Sequence, residues 1–176
     1  VAACTGGGGS EPPATVATTT TQVTPPRPDD GVLTIGALIP SSDTRVDTSL
    51  RASFETAIDI VNGAGGVLGN DVEYLIIDEG QNAASASQAI EDLIEADVDA
   101  IMGSASSNTA LGALDVAVSN GIVSCSPTAT AIALDGFPDD GLFFRSIATD
   151  SLQATAIAGE AQATGAGSVA IVHVDD

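Results

Sequence analysis

The stretch VDAIMGSASSNT at residues 98–109 decides the fold prediction, because it joins three kinds of local structure. The apolar run at 98–102 predicts a short buried β-strand. A loop of small residues follows at 103–107. Apolar residues then recur at helical spacing from Leu111 to Val118, which predicts an amphipathic helix. A strand, a polar loop and a helix therefore follow one another here.

The same alternation of strand and helix extends over most of the chain. Strands are predicted at residues 32–39, 72–77, 98–102, 122–125, 142–144 and 168–174. Helices are predicted around the apolar faces at residues 50–61, 86–94, 111–118 and 151–163, and a polar loop at 41–48. Unbroken apolar strands that alternate with helices are typical of an α/β fold, in which helices cover both faces of a parallel sheet.

Residues with hydroxyl groups follow two of the predicted strands. Ser106 and Ser107 lie after the third strand, and Thr128 and Thr130 lie after the fourth. Because ligands bind at the carboxyl ends of the strands in such sheets, these loops are the candidate site. Hydroxyls beside the free N–H groups of a helix N-terminus suit a carboxylate or another anion. The alternative is that Ser107 or Asn108 only caps the helix.

The composition excludes several kinds of chemistry. The chain of 176 residues has 4 basic and 24 acidic residues and a net charge of −20, which disfavours a nucleic-acid partner. All four basic residues are arginines, so no lysine is present for a P-loop or a Schiff base. The single histidine, His173, leaves little room for a catalytic triad or a metal site. We expect no cofactor and no metal, and no apolar run is long enough for a transmembrane helix.

Other candidate features receive structural interpretations. The glycines at 63–69 (GAGGVLG) follow a helix and precede a strand, so they predict a helix cap and a turn rather than a dinucleotide site. Asp78 and Glu79 could be paired acids or part of a metal site, but a solvated loop is favoured because no second cluster supports them. Cys125 is interpreted as a thiol in the core, and His173 as a structural or partly exposed residue.

The N-terminal segment has a different composition from the rest. Val1-Ala2-Ala3-Cys4 resembles the lipobox of bacterial lipoproteins, which implies cleavage before Cys4 and attachment of lipid to its sulfur; the alternative is an apolar cysteine in a disordered terminus. Residues 1–30 are rich in Gly, Thr, Pro and Ser and predict a disordered tether. Without an initiator Met or an apolar signal segment, and with a strand at its last residues, the chain is expected to be part of a longer protein.

The order of several short motifs makes the fold prediction more specific. They are residues 35–40 (IGALIP), 57–69 (AIDIVNGAGGVLG), 77–78 (ID), 103–109 (GSASSNT), 124–130 (SCSPTAT), 144–146 (FRS), Asp150 and 169–172 (VAIV). In this order they resemble the first lobe of a type I periplasmic binding protein, and more narrowly the branched-chain amino acid group of ABC-transporter substrate-binding proteins. The resemblance covers residues 32–176. It implies a first lobe at 31–147, and a crossover with the start of a second lobe at 148–176.

The resemblance also implies a function and a set of site residues. In this family a serine after the third strand and a threonine after the fourth hold the α-carboxylate of the ligand, and a backbone carbonyl two residues earlier takes the ammonium group. By position these are Ser107, Thr130 and the carbonyl of Thr128, with Ser106 as a neighbouring candidate. The resemblance implies a non-catalytic, extracytoplasmic protein that passes a branched-chain amino acid, or a related amino acid or amide, to an ABC permease.

Two alternatives and one departure from the family pattern accompany this interpretation. A sensory receptor domain could share the fold, and so could an α/β enzyme of flavodoxin-like type. Many family members have glycines at positions 44–49, where this chain has Arg45 and Asp47. These charges argue against a purely aliphatic pocket for the ligand side chain.

Overall fold

The computed structural model describes residues 30–172. Cys4 with its lipobox, almost all of the predicted tether, and His173 lie outside the described residues. The strands are β1 (Thr34–Ile39), β2 (Glu73–Asp78), β3 (Ala100–Met102), β4 (Val123–Ser126) and β5 (Phe143–Arg145). The helices are α1 (Thr44–Gly63), α2 (Ala83–Glu95), α3 (Ser107–Ser119) and α4 (Asp150–Ala163), with a 3₁₀ helix at Ile132–Gly136.

Within this part of the chain the strands form one sheet, in the order β2-β1-β3-β4-β5. Every neighbouring pair is parallel. Parallel strands end at the same edge, so the loops after β1, β3 and β4 meet at the carboxyl edge of the sheet. The predicted parallel α/β sheet is therefore confirmed, and each of its five strands lies within two residues of its predicted position.

The core has a layer on each face of the sheet. On one face, Ala37 and Ile39 of β1 pack with Phe54 and Ile58 of α1. Leu38 points the opposite way, as alternation along a strand requires, and packs against α2 and α3. Helices thus cover both faces, and burial of these apolar side chains is the main term that holds them there.

Helices α2 and α3 approach each other closely at one point. A Cβ atom at Gly112 would lie 2.3 Å from the Cβ of Ala83, so only glycine fits there. Next to it, the Ser87 hydroxyl donates to the Gly112 carbonyl at 2.8 Å. This contact holds the middle of α3 close against the start of α2.

The first helix begins earlier than predicted. Residues 44–49 belong to α1, so the predicted loop at 41–48 is wrong over most of its length. Asp43 is the cause, since its carboxylate accepts the N–H groups of Arg45 (3.0 Å) and Val46 (3.3 Å) and caps the helix. At the other end the predicted cap and turn is confirmed, because Gly65, Gly66 and Gly69 all have positive φ.

Two features of the sheet differ from the predictions. Cys125 is exposed rather than a core thiol, because β4 turns Ser124 and Ser126 toward the core and Cys125 away from it. The predicted last strand is wrong over residues 168–172, which have no regular structure, and Val172 is 95% exposed. A strand needs a hydrogen-bonded neighbour, and none of the strands described here pairs with this segment.

The fourth helix forms where the sequence predicts it, at Asp150–Ala163, but none of its residues is buried. Its Thr149 hydroxyl accepts the Leu152 N–H at 3.4 Å and caps the first turn. None of the helices within residues 30–172 is both long and apolar enough to cross a membrane.

Candidate ligand-binding site

The loops after β3 and β4 are joined directly through Ser107. Its Oγ accepts the backbone N–H of Thr130 at 3.1 Å and that of Ala131 at 3.2 Å. A hydroxyl oxygen has two acceptor positions and one donor proton. Both acceptor positions of Ser107 are therefore used within the protein, and its O–H proton is the group left to donate to a ligand.

The position of Ser107 in the helix settles the alternative role that the sequence left open. Ser106 is the N-cap of α3, and Ser107 is the first helical residue. The Ser106 side chain makes no capping hydrogen bond. Neither Ser107 nor Asn108 occupies the capping position, so the interpretation that one of them only caps α3 is wrong.

The structure brings the four predicted site residues together at this edge. Thr128 Oγ1 donates to the Ala105 carbonyl at 2.7 Å, and the backbone carbonyl of Thr128 accepts no hydrogen bond within residues 30–172. Thr130 is half-buried, and its hydroxyl has no hydrogen-bond partner in the same range. Ser106 is exposed beside them. Three hydroxyl donors, of Ser106, Ser107 and Thr130, and one carbonyl acceptor are thus available at this edge.

Glu79 is the residue of this region that the sequence analysis misjudged. It is fully buried, although it was predicted to lie in a solvated loop. Its carboxylate accepts the N–H of Ala105 at 2.6 Å and that of Ser106 at 3.2 Å. Glu79 therefore holds the start of α3, where N–H groups lack partners within the helix.

Burial raises the pKa of Glu79 above its ordinary value, because the charged carboxylate loses its contact with water. The hydrogen bonds from Ala105, Ser106 and Thr109 act in the opposite direction, and the nearby charge of Asp78 adds to the increase. The N–H groups of Ala105 and Ser106 are thus already bound to this internal carboxylate. The hydroxyls of Ser106, Ser107 and Thr130 therefore remain as donors for a ligand.

Two serines on the inner face of β4, Ser126 and Ser124, lie beneath the site loops. Ser126 Oγ donates to the Ser104 carbonyl at 2.6 Å and accepts the Ala129 N–H at 3.0 Å, so it ties the two site loops together inside the protein. Ser124 lies two residues away on the same face of β4. Its hydroxyl and that of Ser104 are buried without a hydrogen-bond partner among the described residues.

A cleft of about 340 Å³ lies next to these loops. Its lining consists of Asp43, Arg45, Val46, Ser49, Leu50 and Thr128. Thr128 belongs to both the cleft and the site, so one wall is the loop after β4 and the other is the start of α1. The volume is at the lower end of the range of about 300–1,000 Å³ for small-molecule sites. No cluster of three or more metal-ligating side chains occurs in the described part of the chain.

The sequence of this chain matches a known family over most of its length. Residues 32–176 match the periplasmic binding protein family. The chain belongs to this family. Its parallel sheet, with helices on both faces, is the fold predicted for a type I periplasmic binding protein, which confirms that prediction. No curated protein sequence is a significant match.

Solved structures agree with the family assignment. A branched-chain amino acid transporter substrate-binding protein from Streptococcus pneumoniae, in complex with isoleucine, is 27% identical with a TM-score of 0.63. The match covers 68% of this chain and 35% of that one. The family and this neighbour are binding proteins of transporters rather than enzymes.

Two further structures share the fold. An ABC-transporter substrate-binding protein from Desulfitobacterium hafniense, in complex with Leu, has a TM-score of 0.67 at 23% identity, with 76% of this chain and 39% of that one covered. A solute-binding protein from Rhodopseudomonas palustris, in complex with 3,4-dihydroxybenzoic acid, has a TM-score of 0.65 at 18% identity, with 77% and 37% covered. The present chain thus spans little more than a third of the length of these structural neighbours.

Proposed function

We propose that this chain contributes the first lobe of an extracytoplasmic solute-binding protein of an ABC importer. Its solute is a small molecule, namely a branched-chain amino acid or a related amino acid or amide. One observation carries the proposal: the Ser107 hydroxyl joins the two site loops with its acceptor positions and keeps its proton for a ligand. The family and the structural neighbours support a binding role.

The free polar groups suit the ends of an α-amino acid. The Ser107 and Thr130 hydroxyls donate to the α-carboxylate, and hydrogen bonds to a charged acceptor are stronger than those between neutral groups. The Thr128 carbonyl accepts from the ammonium group. Ser106 is an additional donor at the exposed side of the site. No group at the site needs to act as a nucleophile or a general base for this function.

The remaining parts of the proposal concern the whole protein. Residues 31–147 are the first lobe, and residues 148–176 are the crossover and the start of a second lobe that closes over the ligand. Residues 1–30 are a tether, and a lipid on Cys4 anchors the protein outside the cytoplasm. In this position the protein delivers its solute to the permease. Membership of the periplasmic binding protein family supports the extracytoplasmic location.

The decisive experiment measures ligand binding to the complete gene product by thermal shift and calorimetry, with leucine, isoleucine, valine, amides and aromatic acids as ligands. A ligand that binds only the folded state raises its stability as the ligand concentration rises. Thr130→Val removes a hydroxyl that makes no hydrogen bond within the described residues, so affinity should fall by about 1–3 kcal/mol with the unfolding temperature of the free protein unchanged. Ser107→Ala should lower both quantities, because Ser107 also holds two N–H groups.

Ser119→Ala is the matched control, since Ser119 lies at the opposite end of α3. It should change neither affinity nor stability. Unchanged affinity in both Thr130→Val and Ser107→Ala would show that the site lies elsewhere. If the wild-type protein binds the solute, but a strain that lacks this gene still imports that solute, a sensory receptor would be favoured over a transport protein.

A further inference from the structure

Two charged side chains line the cleft beside the site, and one of them, Arg45, is exposed and makes no ion pair among residues 30–172. Of the three arginines in residues 30–172, Arg51 pairs with Asp47 at 3.0 Å and Arg145 pairs with Asp135. The guanidinium of Arg45 has no carboxylate within 4.0 Å in this range. Arg45 thus differs from the other two arginines of residues 30–172 in presenting an exposed guanidinium without an ion pair.

The position of Arg45 also argues against a role in stability. Arg45 is the second residue of α1, at the positive end of the helix dipole, where a cation is unfavourable. Its backbone N–H is bound by Asp43, and this bond does not depend on the side chain. Arg45 and Asp47, the two charged residues predicted near the ligand side chain, therefore differ in their surroundings. Asp47 is engaged with Arg51 and does not line the cleft, whereas Arg45 lines it and is available.

The other residues of the cleft indicate the shape of the group that Arg45 would meet. Val46 and Leu50 are apolar and line the same cleft, so they suit a short aliphatic stem. Asp43 is also present, but its Oδ1 already accepts two backbone N–H groups of α1. The cleft is thus lined by Thr128, which the site shares, by two apolar side chains and by one arginine.

We propose that Arg45 binds a second acidic group of the ligand, so that the solute is a small dicarboxylic amino acid rather than an aliphatic one. This rests on the proposed function, because Ser107 and Thr130 are taken to hold the α-carboxylate. The guanidinium presents a planar set of donors that matches a carboxylate in two parallel hydrogen bonds. A leucine side chain in the same cleft would displace water from the exposed Arg45 guanidinium without offering it an acceptor.

The test compares ligands that differ in charge but hardly in shape, namely L-glutamate with L-glutamine and L-aspartate with L-asparagine, by calorimetry on the complete gene product. The acidic member of each pair should bind at least about tenfold more tightly, as expected for a hydrogen bond to a charged group. Arg45→Gln should reduce this preference to less than about twofold and leave the affinity for the amides unchanged. Arg51→Gln is the control, because it removes a neighbouring arginine that pairs with Asp47.

The possible failures are distinguishable. If leucine or the amides bind as tightly as the acids, or if Arg45→Gln weakens acids and amides equally, the role of Arg45 is wrong while the proposed function stands. If no α-amino acid binds to the wild-type protein, the proposed function is wrong and this inference fails with it. A loss of the acid preference in Arg51→Gln would assign the selectivity to general charge rather than to Arg45.

Discussion

Helices α2 and α3 begin at the same edge of the sheet, yet different groups hold their first turns. In α2 the cap is local: Asn82 Oδ1 accepts the Ser85 N–H at 3.0 Å, and Ser85 Oγ accepts the Asn82 N–H at 3.3 Å. In α3 the N-cap Ser106 makes no side-chain hydrogen bond, and Glu79 binds the start of the helix from a position 27 residues earlier. One helix uses its own polar residues, and the other uses a buried carboxylate from the end of β2.

The difference explains why α3 can take part in a binding site. A local cap consumes the polar side chains of the first turn, as Asn82 and Ser85 show. Because the Glu79 carboxylate accepts the N–H groups at the start of α3, the hydroxyls of Ser106 and Ser107 are not needed to cap the helix. Ser107 is then available to join the loop after β4, with its proton left for a ligand. A buried acid under the loop thus makes the serines above it available for binding.

The largest effect is expected when the distant cap is removed. Glu79→Ala leaves the N–H groups of Ala105 and Ser106 without their acceptor in a buried position, which should cost about 2–4 kcal/mol of the free energy of unfolding. Asn82→Ala removes the local cap of α2 and should cost only about 1 kcal/mol. Urea unfolding followed by circular dichroism, on the complete gene product, measures both values.

Thr149→Ala, at the exposed α4, is the control for the loss of a cap where nothing is buried. It should cost less than either of the other changes. Equal losses in Glu79→Ala and Asn82→Ala would contradict the distinction between the two caps, since a buried acceptor with two bonds would then contribute no more than a surface one.

The next effect concerns two serines that share the inner face of β4. Ser126→Ala removes one acceptor and one donor and leaves the Ala129 N–H and the Ser104 carbonyl unsatisfied, so a loss of about 1–3 kcal/mol is expected. Ser124→Ala removes a buried hydroxyl that has no hydrogen-bond partner among the described residues, so stability should stay within about 0.5 kcal/mol or rise. The same unfolding measurement compares them, and a larger loss in Ser124→Ala would show that its hydroxyl has a partner.

The sequence predicted the features that depend on local spacing. The apolar runs and helical faces locate all five strands of the sheet and the four helices within residues 30–172. Because parallel strands end at the same edge of a sheet, the loops with Ser107 and Thr130 were expected to lie together, and the family resemblance indicated these two residues. The early start of α1 also has a signal in the sequence, because Asp43 is a typical N-cap residue.

The features that were missed depend on contacts between distant residues. Glu79 follows β2, and nothing in its neighbourhood in the sequence shows that the Ala105 N–H lies 2.6 Å from its carboxylate. Cys125 sits in an apolar run, but the burial of alternate residues in β4 depends on which helices cover each face. Likewise the run at 168–172 has the composition of a strand, yet composition does not supply a neighbouring strand.

The smallest effect is a dependence on pH that only one of the two caps should show. Burial raises the pKa of Glu79 in the folded state, so the folded state holds this proton more tightly than the unfolded state does. The contribution of Glu79 to stability is then fully present below its ordinary pKa and declines as the pH rises through the folded-state pKa. Glu79→Gln, which keeps one acceptor oxygen, should therefore gain stability relative to the wild type from about pH 4 upward.

The measurement is the difference in unfolding free energy between wild type and Glu79→Gln at several pH values from about 4 to 7, which cancels the titration of the other acids. The slope cannot exceed about 1.4 kcal/mol per pH unit, the limit for one proton. The deficit caused by Asn82→Ala should be the same at every pH, because Asn82 and Ser85 do not titrate. If the wild type instead became more stable relative to Glu79→Gln as the pH rises, the hydrogen bonds from the N–H groups of Ala105 and Ser106 would have a larger effect on the pKa of Glu79 than its burial. The N-terminus of α3 would then hold a stabilised charge, and a ligand carboxylate at Ser107 would have to bind beside it.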